Sequence, residues 1–168
     1  TPETIEVADL SPEAMYELFE KHAWGDGLPL VPPTKERVDA MLAFATGDPD
    51  EVLATILPRA GVVTRRVVAI NCVLAGCPPI VFPVVLSAIR ALARPEVNLR
   101  GVNATTHLVA PMVLVHGEIV ARAGFNAGVG CFGPGNRANA TVGRAARLLL
   151  LHVAGARPGF GDAATHGQ

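Results

Sequence analysis

The sequence predicts an α+β fold in one domain, with several helices packed on a small sheet. Three observations carry that expectation. At 168 residues the chain is long enough for one sizeable core. Amphipathic helical stretches outnumber strand-like ones. The two kinds also fail to alternate regularly, which argues against a doubly wound parallel sheet.

Ser11-Pro12-Glu13 opens the first helix, with serine as N-cap and proline at the first helical position. Met15, Leu18, Phe19 and His22 follow at helical spacing, predicting a helix over 12–23. Trp24-Gly-Asp-Gly-Leu-Pro-Leu-Val-Pro-Pro-Thr34 is too rich in glycine and proline for regular structure and reads as stiff, extended chain. Thr34 caps a second helix carrying Val38, Met41, Leu42 and Phe44, and Gly47-Asp-Pro-Asp50 marks a turn. Residues 52–57 read as a short strand. Thr64 caps a helix that runs through Ala75 and stops at Gly76. Pro78-Pro79 starts another, through about Ala93, with Val84, Val85, Ala88, Ile89 and Leu92 inward. Residues 98–104 and 111–122 are the remaining candidate strands, the second with a bend at His116-Gly117. The last helix spans 137–153. Residues 1–10 and 158–168 are expected to be flexible or held by a partner.

Composition narrows the function classes. Half the residues are apolar and only 17% are charged, against about 25% in a typical soluble domain. The mean hydropathy is +0.37, yet the most apolar stretch, Val67 to Leu86, is broken by Asn71, Pro78, Pro79 and Pro83. No membrane span is expected, because a span needs about 20 mostly apolar residues. Covered apolar surface is expected instead, in a homo-oligomer or against a partner subunit. The net charge of −1 argues against nucleic acid as a partner. The acidic start TPETIEVADL lacks the features of a signal peptide, and three cysteines leave an odd thiol, so a cytoplasmic location with reduced thiols is expected.

The most informative stretch runs from Gly124 to Arg147, GFNAGVGCFGPGNRANATVGRAAR. A glycine-dense loop turns directly into a long helix. Loop amides and the helix's unpaired N-terminal donors together suit a small anionic group such as a carboxylate or phosphate. The expected binding set is Gly130, Gly133, Gly135, Asn136, Arg137, Asn139 and Thr141; the structural alternative is a loop whose glycines only permit tight packing. Gly128-Val-Gly130-Cys-Phe-Gly133 formally matches a dinucleotide fingerprint. Pro134-Gly135 interrupts the helix entry, however, and no acidic residue lies between Glu118 and Asp162. No cofactor is therefore named. Arg137, Arg144 and Arg147 share one helical face and suit either an anion clamp or ordinary salt bridges.

Cys77 lies between a helix-ending glycine and the start of a new helix, where a thiol's pKa is lowered. Cys131 sits in the second glycine turn under a similar influence. Either suits a nucleophile or a soft metal ligand, whereas Cys72, inside an apolar helix, reads as a core residue. Thr105-Thr106-His107 ends a predicted strand and offers hydroxyls beside an imidazole that can move a proton near neutral pH; a self-satisfied turn is the alternative. Asp26 in Gly-Asp-Gly reads as a turn residue or a general base. The histidines form no metal motif, and no metal ligands are assigned; His107 with the two loop cysteines would be the candidate set. His116 flanks an apolar strand, His152 is expected in the core, and His166 lies in the tail.

Three blocks carry a resemblance: Trp24-Gly-Asp-Gly-Leu-Pro-Leu-Val-Pro-Pro-Thr34, Ala75-Gly-Cys77 with Phe82-Pro-Val-Val-Leu86, and Gly-Pro-Gly-Asn-Arg-Ala-Asn-Ala-Thr141. Together they resemble a poorly characterised bacterial family associated with UGSC-type (seleno)proteins, over most of residues 12–158. The chain contains no Cys-Gly-Ser-Cys, so a selenol or dithiol redox role is not carried over. The end at Gln168, soon after the loop, fits a subunit completed by another polypeptide.

The expected function is a small-molecule enzyme of lyase or hydratase type, cleaving or hydrating a carbon–heteroatom bond. Cys77 or Cys131 would supply a thiolate, His107 a proton, and the loop with Arg137 an anion site, flanked by Thr105 and Thr106. The alternatives are a non-catalytic or half-site subunit of a hetero-oligomer, and a metal-dependent enzyme with Cys and His ligands.

Overall fold

A computed structural model describes residues 4–164. Among them are seven α-helices and one two-stranded antiparallel sheet, the α+β arrangement expected. His166 lies outside the described residues.

The capping residues act as their chemistry dictates. Helix α1 (Pro12–Lys21) begins at Ser11, whose side chain accepts from the Ala14 amide. Helix α2 (Lys35–Leu42) is capped by Thr34 through the Arg37 amide. Residues 22–34 between them are irregular. Strands β1 (Val52–Ile56) and β2 (Gly61–Thr64) form a hairpin with Ile56 opposite Gly61 and Val52 opposite Thr64. Thr64 then caps α3 (Arg65–Ala75), accepting from the Val67 amide. Gly76 closes α3 in the left-handed region, at φ 81°. A 3-10 turn, Pro79–Val81, leads into α4 (Phe82–Leu92).

Helices α3 and α7 (Arg137–Leu149) form the centre, with α2 and α4 packed around them. Small buried side chains let the central pair approach closely: Ala69 and Cys72 on α3, Ala138, Ala145 and Ala146 on α7. Val68, Phe82, Val85, Ile89, Leu148 and Leu149 fill the rest of the core. Beyond Leu149 the helix widens into a π turn, Leu150–Ala154, ending at left-handed Gly155. The hairpin rests on this turn, and at Gly61 a Cβ would collide with the Val153 carbonyl.

Two expected strands are absent. Residues Leu99–Ala104 form a helix, α5, entered from a 3-10 turn, Pro95–Val97, through left-handed Asn98. Its Leu99 and Asn103 are both buried, four positions apart as on a helix face. Asn103 is held there by donating to the Leu57 carbonyl at 3.4 Å. The segment 111–122 is divided. Pro111, Val113 and Val115 are half-buried and alternate with exposed Met112, Leu114 and His116, the period-2 pattern that suggests a strand. Among the described residues, however, no backbone hydrogen bond ties 110–116 to a neighbouring strand. The pattern arises because the segment lies along α4, bounding an open apolar groove of about 1090 Å³. Gly117, at φ 89°, then turns the chain into a short helix, α6 (Ile119–Arg122).

The segment after Pro158 is tied back to the same body. Asp162 is buried and accepts from Arg147 at 3.0 Å, while Arg147 also donates to the Ala156 carbonyl at 2.9 Å. Among the described residues, no helix is long and apolar enough to cross a membrane.

Candidate functional site

The three sequence blocks converge at the junction between the end of α3 and the start of α7. The Gly76 closure has both bonds of a Schellman motif: the Gly76 amide donates to the Val73 carbonyl and the Cys77 amide to the Cys72 carbonyl, each at 2.9 Å. Arg137, in the first turn of α7, donates Nε to the Gly76 carbonyl at 2.8 Å. Cys77 donates its thiol to the Thr141 carbonyl at 3.3 Å. The first block joins through the Val31 amide, which donates to the Leu74 carbonyl at 3.1 Å. It is also latched by Arg144, whose guanidinium forks onto both Asp26 oxygens at 2.7 and 2.9 Å and reaches the Pro29 carbonyl at 3.0 Å.

This places Cys77 in a polarised pocket of the backbone. Its side chain is only 4% exposed. Contact with the Cys72 thiol lowers its pKa from the ordinary value; burial opposes that, and the Arg137 charge adds to the lowering. Cys72, wholly buried, is pushed well up by desolvation and stays protonated. The Arg137 side chain is exposed, and beyond Nε its guanidinium makes no hydrogen bond among the described residues. It can therefore present two N–H groups to an anion beside Cys77.

The glycine loop is organised by asparagines. Asn139 accepts from the Asn126 amide at 3.0 Å and donates to the carbonyls of Asn126 and Cys131 at 2.8 and 2.9 Å. Asn136 caps α7 through the Asn139 amide at 2.9 Å and donates to the Gly124 carbonyl at 2.7 Å. Thr141 donates its hydroxyl to the Arg137 carbonyl at 2.7 Å. The side chains of Asn136, Asn139 and Thr141 are thus engaged with backbone rather than displayed to a ligand. Gly130 and Gly135 adopt φ of 77° and 103°, and the Gly133 amide donates to the Gly130 carbonyl at 2.8 Å. The loop's outer side chains, Val129 and Phe132, stand in solvent.

The remaining expected residues do not join this junction. Thr105, Thr106 and His107 follow helix α5 rather than a strand, and the His107 amide donates to Thr105 Oγ1 at 3.1 Å in a local turn. No polar contact links the triplet to Cys77 or Arg137 among the described residues. Cys131 is half-buried within the loop, its carbonyl taken by Asn139. Among the described residues, no three His, Cys, Asp or Glu side chains cluster to hold a metal ion. The three arginines diverge in role: Arg137 meets Gly76, Arg144 meets Asp26 and Arg147 meets Asp162.

A second polar connection escaped the sequence reading. The His152 ring sits 2.7 Å from Asn71 Oδ1 through Nδ1 and 2.7 Å from the Trp24 carbonyl through Nε2, while Asn71 donates to the Val67 carbonyl at 2.9 Å. Burial pushes the His152 pKa down. An asparagine inside an otherwise apolar helix was the available signal, since a buried amide needs partners. Asn71 and Trp24 lie 81 and 128 positions from His152 in the chain, beyond any local pattern.

No protein-family model, curated protein or solved structure matches the chain.

Proposed function

We propose that this chain is a cysteine-dependent enzyme unit, of lyase or hydratase type, acting on a carbon–heteroatom bond of a small anionic molecule. The observation that carries the reading is the junction itself: a thiol with a lowered pKa beside an arginine that retains free donors. In this reading the substrate's anionic group pairs with the terminal nitrogens of Arg137. The Cys77 thiolate then adds to the neighbouring electrophilic carbon, and the forming negative charge lies near the same guanidinium. Asn136 and Asn139 act indirectly, by holding the loop against α7. His107 has no part in this reading.

Iodoacetate and iodoacetamide test it, because they share an electrophile and differ in charge. Cys77 in the native protein should react faster with the anionic reagent, and Arg137→Gln should remove that preference. The same substitution should raise the pH of half-maximal alkylation, since the guanidinium favours the thiolate. A Cys77 that stays unmodified while Cys131 reacts would overturn the proposal.

A second reading, a half-site subunit completed by another polypeptide, is favoured by the exposed apolar side chains. Val129 and Phe132 on the loop, and Met112 and Leu114 on the unpaired extended segment, all face solvent. Light scattering on the natively purified protein separates the readings: a stable monomer removes the second.

A further inference from the structure

The Schellman closure does something besides ending α3. In that motif the residue after the glycine packs its side chain against the residue five positions earlier, a contact usually made by two hydrophobic groups. Here the two residues are Cys77 and Cys72, held side by side by the bond between the Cys77 amide and the Cys72 carbonyl. With the Cys77 amide 2.9 Å from the Cys72 carbonyl, backbone geometry limits their Cα separation to at most about 6.8 Å. That is the upper end of the span a disulfide tolerates.

We propose that Cys72 and Cys77 form a reversible dithiol–disulfide site, oxidised by a small hydroperoxide. Exposure sets the order of events. Cys72 is fully enclosed, whereas Cys77 keeps a small accessible edge, so the oxidant meets Cys77 first. The Cys77 sulfur attacks one peroxide oxygen, the O–O bond breaks, and the thiol proton leaves with the departing oxygen as water (or as an alcohol, from an alkyl hydroperoxide). Sulfur is oxidised to the sulfenic acid and the peroxide is reduced. The Cys72 sulfur then attacks the Cys77 sulfenic sulfur; the S–S bond forms, the S–O bond breaks, and the hydroxyl leaves with the Cys72 proton as a second water. The short path from Cys77 to Cys72 protects the sulfenic acid from further oxidation. The disulfide also removes the Cys77 thiolate from the α3–α7 junction, so oxidation would switch off any chemistry that this thiolate performs.

The inference depends on the placement of two thiols and not on substrate turnover, so it stands or falls apart from the enzymatic reading. The full-length native protein is treated with stoichiometric hydrogen peroxide, quenched with N-ethylmaleimide under denaturing conditions, and mapped by peptide mass spectrometry. The expected result is a loss of alkylatable thiols from three to one, with Cys72 linked to Cys77 and Cys131 still free, all restored by dithiothreitol. Cys72→Ser should halt the reaction at a Cys77 sulfenic acid captured by dimedone, and Cys77→Ser should leave Cys72 unoxidised. Both thiols remaining alkylatable after peroxide, or Cys131 taking the oxidation in their place, would overturn the proposal. The wild-type mapping decides the matter even if a variant fails to fold. Fast native alkylation of Cys77 without any Cys72–Cys77 linkage would sink the dithiol while leaving the enzymatic reading intact.

Discussion

Substitution of Asp26 by asparagine tests whether the Trp24–Thr34 block is a structural latch. The change keeps the side chain's shape and removes its charge. Asp26 receives two hydrogen bonds from Arg144, at 2.7 and 2.9 Å, with 17% of the Asp26 and 22% of the Arg144 side chain exposed. An exposed ion pair contributes at most about 1 kcal/mol, and breaking a fully buried one costs about 3–5 kcal/mol. This pair is mostly enclosed, yet solvent screens its outer edge, and Arg144 keeps the Pro29 carbonyl as an acceptor. A loss of about 2 kcal/mol follows from interpolating between those limits. For a chain of this size that lowers Tm by about 4–8 °C. Urea and thermal denaturation of both proteins would measure it. The pH dependence has a definite sign. Arg144 holds the Asp26 carboxyl below its ordinary value of 3.8, so the stabilisation is fully present above that value and is lost as pH falls through the lower, folded value. The gap between wild type and Asp26→Asn should be constant near neutrality and close in acid. A gap under about 0.5 kcal/mol at pH 7, or one that persists unchanged in strong acid, would refute the latch.

Two glycines should respond differently to alanine. At Gly76 the new Cβ meets Val31 Cγ2 at an ordinary 3.7 Å, so the cost is the left-handed backbone alone, about 1 kcal/mol. At Gly61 it collides with the Val153 carbonyl, so the hairpin must lift from the π turn at about 2–4 kcal/mol. Equal costs in urea denaturation would contradict that packing. Thr64→Ala removes the α3 cap on the Val67 amide and should cost about 1 kcal/mol; Thr64→Ser should retain most of it.

Much of the helical framework was legible because its signals are local. Ser11, Thr34 and Thr64 cap helices with amides three positions ahead, and Gly76 ends α3 through bonds within six residues. The start of α7 at Arg137 was legible too, although Asn136, expected to bind a ligand, serves as its cap. The strand reading of 98–104 failed because a buried Asn103, anchored 46 positions away on Leu57, rewards a helix that short-range alternation does not suggest. For 111–116 the burial alternates, but alternation reports one buried face and not a hydrogen-bonded neighbour. The groove beside α4 supplies that face without a ladder.

The site divides along the same line. The sequence alone singled out Cys77 and Arg137 as candidates beside helix ends, since a glycine stop and a capped start are both short-range features. It could not pair Arg144 with Asp26 across 118 positions, nor His152 with Asn71 across 81. Those choices belong to the tertiary structure, because a charged or amide group carries no local mark of which distant partner will satisfy it when both are buried. The meeting of α3's end with α7's start is of the same kind. Close packing of alanines and Cys72 sets how near the two helices come, and that distance brings Arg137 to Gly76 and Thr141 to Cys77.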